Sequence, residues 1–156
     1  MYKVILIILI LITSLSASVI SKNSNLSEFN NYKFETPNGR IMKVPKSTKL
    51  LIIAFEKDTG RLVNEFLKTK DPFFLLKKNI VYIADIHNMP SIITIMFALP
   101  KLKEYKHLIY LHYDDKFEQN VPNKEEMITL VFIEDGVVKN IEFISTSDEL
   151  EEMLRK

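Results

Sequence analysis

The sequence predicts an α/β protein with a mixed central sheet and helices on both of its faces. Three observations predict it. Two continuous apolar runs, 49–55 (KLLIIAF) and 80–86 (IVYIADI), suit central strands covered on both sides. A stretch with helical apolar spacing separates them. A later apolar run, Ile128 to Ile133, meets Asp135-Gly136, a strong hairpin signal.

The elements follow in order along the chain. Residues 1–18 read as a signal peptide, expected as a helix, with a short start at Met1-Tyr2-Lys3 and an aliphatic run from Val4 to Ile12. Ser16-Ala17-Ser18 offers small residues for cleavage; the other reading is an uncleaved anchor. Residues 19–39 read as a polar linker, with a sequon at Asn25-Leu26-Ser27 and a turn at Pro37-Asn38-Gly39. A domain is expected over 40–156.

Within that domain, Arg40 to Val44 reads as a short edge strand ending at Pro45. After the first core strand, Asp58-Thr59-Gly60 starts a helix. Leu62, Val63, Phe66 and Leu67 form its apolar stripe. Asp71-Pro72 opens a further helical turn. Asn88-Met89-Pro90 begins a helix in which Ile92, Ile93, Met96 and Phe97 share a face, expected to pack on the sheet; Pro100 breaks or kinks it. Leu108 to Tyr113 is the third core strand. Ile128 to Ile133 is the fourth, and Val137 to Ile144 returns antiparallel. Thr146 and Glu149 form a capping box for a last helix lined by Leu150, Met153 and Leu154.

Composition limits the chemistry. The 156 residues carry a formal net charge of +1, and without the leader basic and acidic side chains balance at 20 each. That balance gives no electrostatic footprint for nucleic acid. There is no cysteine, so disulfides, thiolate metal sites, thiol catalysis and a lipid-modified leader are all excluded. The three glycines, Gly39, Gly60 and Gly136, lie too far apart for a dinucleotide or phosphate loop. No catalytic residue and no cofactor is predicted.

The strand, helix, strand, helix, strand, hairpin, helix order resembles the thioredoxin superfamily over residues 40–156. The segments LIIAFEKDTGRLVNEFL, YIADIHNMPS and ITLVFIEDGVVKNIEF carry the resemblance in order. The leader and the additional strand are similar to cysteine-less periplasmic, YtfJ-like members. The resemblance implies a three-layer fold. It also implies that the positions matching the family's Cys-x-x-Cys are Asp58 and Arg61, within Asp58-Thr59-Gly60-Arg61. Met127-Ile128-Thr129 stands where the family has its cis-proline; the nearest proline is Pro122. Dithiol exchange is therefore not expected.

Ligands in open α/β sheets bind beyond the carboxyl ends of the parallel strands. Three such ends are polar here: Glu56-Lys57-Asp58, Asp85-x-His87 and His112-x-Asp114-Asp115. Asp85, His87, His112 and Asp114 are the candidate metal ligands, since imidazole and carboxylate together suit zinc or another divalent ion. The alternative is ordinary solvated strand ends. His107 is expected to face solvent, and His112 to be a hydrogen-bonded core histidine. Phe73-Phe74-Leu75-Leu76 cannot all face inward on one helix, so Phe73 and Phe74 mark a possible partner surface.

The expectation is an exported, non-redox binding or assembly accessory of the bacterial envelope, in the periplasm or anchored at the inner membrane. Its partner would be a protein or peptide, and it would touch the membrane only through residues 1–18 if these stay uncleaved. The rival expectation is a metal- or flavin-linked oxidoreductase working at the strand ends.

Overall fold

A computed structural model of the chain describes residues 19–155. Residues 1–18, where the leader is expected, and Lys156 lie outside the described residues.

Among the described residues, seven strands form one sheet: β1 (Phe34–Glu35), β2 (Ile41–Met42), β3 (Leu50–Ala54), β4 (Ile80–Asp85), β5 (Tyr110–His112), β6 (Ile128–Glu134) and β7 (Val137–Ile144). Their order across the sheet is β2-β1-β5-β4-β3-β6-β7. The inner trio is parallel, with Leu50 opposite Ile80 and Asp85 opposite His112. All other pairings are antiparallel. The expected mixed sheet is present. Its outer edge is shorter than the reading of 40–44, because only Ile41 and Met42 pair, and only with β1.

The three-layer arrangement follows from side-chain alternation in the buried strands. On one face Leu50, Ile52, Ala54, Tyr82 and Leu111 meet Val63 and Phe66 of α1 (Lys57–Lys68) and Leu75 of α2 (Phe74–Lys77). A helical segment runs from Ser91 to Glu104 on the same face: α3 (Ser91–Ile93), a π turn (Thr94–Ala98) and α4 (Leu99–Glu104). On the other face Leu51, Ile53, Val81, Ile83 and Tyr110 meet Phe117 of α5 (Lys116–Asn120) and the N-terminal segment. The terminal helix α6 (Ser147–Arg155) returns to the first face through Leu150 and Leu154. Its capping box is formed: Glu149 N–H donates to Thr146 Oγ1 at 3.2 Å, and Thr146 N–H to Glu149 Oε2 at 3.0 Å.

Residues 19–39 are not a linker. Ile20, Leu26, Phe29 and Phe34 are buried in the second core, each contributing about 1.5–3 kcal/mol of hydrophobic stabilisation. Backbone bonds fasten the segment: Ile20 N–H donates to Asn120 O at 2.7 Å, and Leu26 N–H to Gly136 O at 2.8 Å. Asn25, the sequon residue, caps a 3-10 helix, Leu26–Asn31, by accepting from Ser27 N–H at 2.9 Å. The domain therefore begins at least 20 residues earlier than expected.

The helix expected to pack on the sheet through Ile92, Ile93, Met96 and Phe97 is rotated away from it. Thr94 is buried instead, and Leu99, Leu102 and Tyr105 continue the inward line. Pro100 has no N–H and would crowd the carbonyl one turn earlier in a regular helix. The π turn ahead of it, closed by Leu99 N–H to Thr94 O, widens the helix there. Ile92 and Ile93, ahead of that turn, are exposed like Met96 and Phe97 within it, so the whole quartet faces away from the sheet. Among the described residues, no helix is long and apolar enough to cross a membrane.

Candidate functional site at the strand ends

Because β3, β4 and β5 are parallel neighbours, their polar carboxyl ends share one edge of the sheet. Asp85 ends β4, is buried, and points to the same face as its register partner His112. The Asp85 carboxylate folds the next residues back on themselves. Its Oδ1 accepts from the backbone N–H of His87 at 3.0 Å and lies 2.8 Å from His87 Nδ1. The other ring nitrogen, Nε2, lies 3.2 Å from Glu118 Oε2. Asn88 Nδ2 also donates to that oxygen, at 3.4 Å.

One imidazole thus stands between two carboxyl groups. A bond on each ring nitrogen needs a proton on each side, held either by an imidazolium or by one carboxylic acid. Burial pushes the Asp85 carboxyl above its ordinary range, opposed by its hydrogen bonds to His87.

His112 lies beside it, enclosed by the rings of Tyr32, Phe34 and Phe117 at centroid distances of 5.8, 5.7 and 5.0 Å. It is the hydrogen-bonded core histidine that was expected. Its Nδ1 lies 2.9 Å from Lys33 O, an acceptor, and so carries the proton. This leaves Nε2 as a buried lone pair with no bonded partner among the described residues. Asp85 Oδ2 is in the same condition.

The candidate metal set does not assemble. Asp85 and His87 bond to each other, while Asp114 accepts from Lys116 N–H at 2.8 Å and stays 3.8 Å from His112 Nε2. Among the described residues, no three His, Asp or Glu side chains form a group that could hold a metal ion.

The third strand end divides in two. Glu56 Oε1 accepts from Glu126 N–H at 2.8 Å, tying the start of α1 to the loop ahead of β6. Asp58 instead pairs with Arg61 at 3.1 Å in the first turn of α1; both side chains are largely exposed, at 77% and 62%. Phe73 and Leu76 are exposed while Leu75 is buried, and Phe74 is half-buried with Lys78 Nζ 5.7 Å from its ring.

His107 overturns its expectation, being only 7% exposed. Its Nε2 meets Asn64 Oδ1 at 2.9 Å, and Asn64 Nδ2 donates to Gly60 O at 2.9 Å. The polar Asn64 inside the apolar stripe of α1 was the available sequence signal. Clefts of about 400 and 370 Å³ flank His107, one against Thr36 and Arg40, the other against Glu65 and Lys68. They lie at the amino end of β5, away from the Asp85 cluster.

No family model and no curated relative matches the chain. Solved structures do. One is an uncharacterised thioredoxin-like protein from Porphyromonas gingivalis, with TM-score 0.53 and 14% identity over 80% of this chain and 87% of that one. Another is StoA from Bacillus subtilis, with TM-score 0.52 and 12% identity over 80% of this chain and 96% of that one. The fold is thioredoxin-like.

Proposed function

We propose that this cysteine-free, thioredoxin-like chain is an exported binding protein, an accessory to assembly in the bacterial cell envelope. The observation that carries the reading is the Asp58–Arg61 ion pair. It stands at the two positions that match the thiols of the resemblance, exposed on the first turn of α1. The scaffold is kept and the reactive atoms are replaced by a charge pair, which suits recognition of a polar peptide surface. The Glu56–Glu126 bond supports this rim from beneath. Export is inferred from the aliphatic sequence of residues 4–12 and the small residues after it.

A photo-crosslinking residue at Arg61 of the full chain, in the bacterium that carries it, tests the reading. The expected result is a discrete adduct in the envelope fraction, absent when the crosslinker is moved to Asn140. A soluble cytoplasmic chain would overturn export. A copurified flavin with oxidoreductase turnover would overturn the binding role.

A further inference from the structure

The helical segment 91–104 turns a broad apolar face to solvent. Ile92, Ile93, Ile95, Met96 and Phe97 are 42–66% exposed. They surround all but the side on which Thr94 is buried. Residues 89–100 carry no charge at all, and Lys101, Lys103 and Lys106 follow against the single Glu104. A helix that docks in a protein groove usually shows a narrower stripe at i, i+3, i+4 and i+7. A broad apolar arc beside lysines has the composition of an interfacial helix on an anionic bilayer.

The path of the chain points the same way. Val19 is exposed, and Ile20 is fastened to Asn120 at the end of α5. Glu118 of α5 accepts from Asn88, two residues before the Pro90 that opens the apolar helix. Residues 1–18, with their aliphatic run, therefore join the domain at the end where this helix begins.

We propose that the face of Ile92, Ile93, Ile95, Met96 and Phe97 lies in the headgroup boundary of an anionic bilayer, docking the domain on the membrane that residues 1–18 anchor it to. This rests on the export reading in the form where the leader is retained. It adds a second, reversible membrane contact within the folded domain.

The absence of cysteine makes the test direct. In the full chain, Met96→Cys and, separately, Asn140→Cys on β7 each carry one polarity-sensitive fluorophore. Each protein is mixed with phosphatidylethanolamine vesicles containing phosphatidylglycerol. The expected result is a blue shift and loss of iodide quenching at position 96 only. Adding Phe97→Glu removes that shift while the chain still sediments with the vesicles. A sedimenting chain whose position 96 stays quenchable overturns the docking and leaves the anchor standing. A chain that neither sediments nor shifts overturns both. A shift that needs no vesicles and grows with protein concentration assigns the face to self-association and overturns the proposal.

Discussion

His107 Nε2 lies 2.9 Å from Asn64 Oδ1, in a network closed by Asn64 and Tyr82 on the carbonyl of Gly60. The bond needs a proton on Nε2, and burial, which holds the imidazole down at about 4, keeps the ring neutral. The folded state therefore binds this proton later than the unfolded chain, whose histidine titrates near 6.5. Its contribution is complete above about pH 6.5 and lost as pH falls toward about 4, by up to about 3 kcal/mol. Urea midpoints compared between about pH 7 and about pH 4 measure this slope. His107→Gln should be flatter across that window. Equal slopes in the two proteins would rule the account out.

Asp85 has the opposite sign. Desolvation raises its carboxyl, so the folded state takes up a proton at a pH where the unfolded chain has released it. Its effect is to reduce stability as pH rises from about 3.9 through the raised value. In Asp85→Asn the amide oxygen can still accept from the His87 N–H groups, and the side chain no longer carries a charge that burial penalises. The variant should gain on the parent protein as pH rises through that window, read by the same urea midpoints. A variant destabilised equally at every pH would show that Asp85 acts only as a hydrogen-bond acceptor.

The strands were legible because fully covered β3 and β4 demand apolar side chains on both faces, which leaves an uninterrupted run. Parallel pairing then brought Asp85 and His112 together without further information. Glu118 was not legible. It sits on α5, five residues with the single buried anchor Phe117, too short for any periodicity to show. Ile20, Leu26, Phe29 and Phe34 were missed for a related reason. In a 3-10 turn and irregular chain, buried residues keep no fixed spacing, and the polar residues between them dominate the composition. The helix before Pro100 misled in another way. Its apolar residues do share a surface, but Thr94, Leu99 and Leu102 take the inward positions, and which side of the helix docks depends on tertiary packing.

The Asp58–Arg61 pair offers the sharpest test of positional equivalence. Exposed ion pairs contribute about 0–1 kcal/mol, so losing this one costs little. Residues three apart in a helix have Cα atoms about 5 Å apart, within the span a disulfide bridges. Asp58→Cys with Arg61→Cys should close one reversible disulfide in an otherwise cysteine-free chain. The thiol at position 58, in the first helical turn, should be acidified by the aligned peptide dipoles. Reduced, the double variant should stay within about 0.5 kcal/mol of the parent protein, because neither position is packed. Mass spectrometry after incubation in a glutathione buffer reads the bond, and thiol titration against pH reads the acidity. Two free thiols with ordinary acidity would mean that the first turn of α1 has lost the geometry as well as the atoms of a dithiol site.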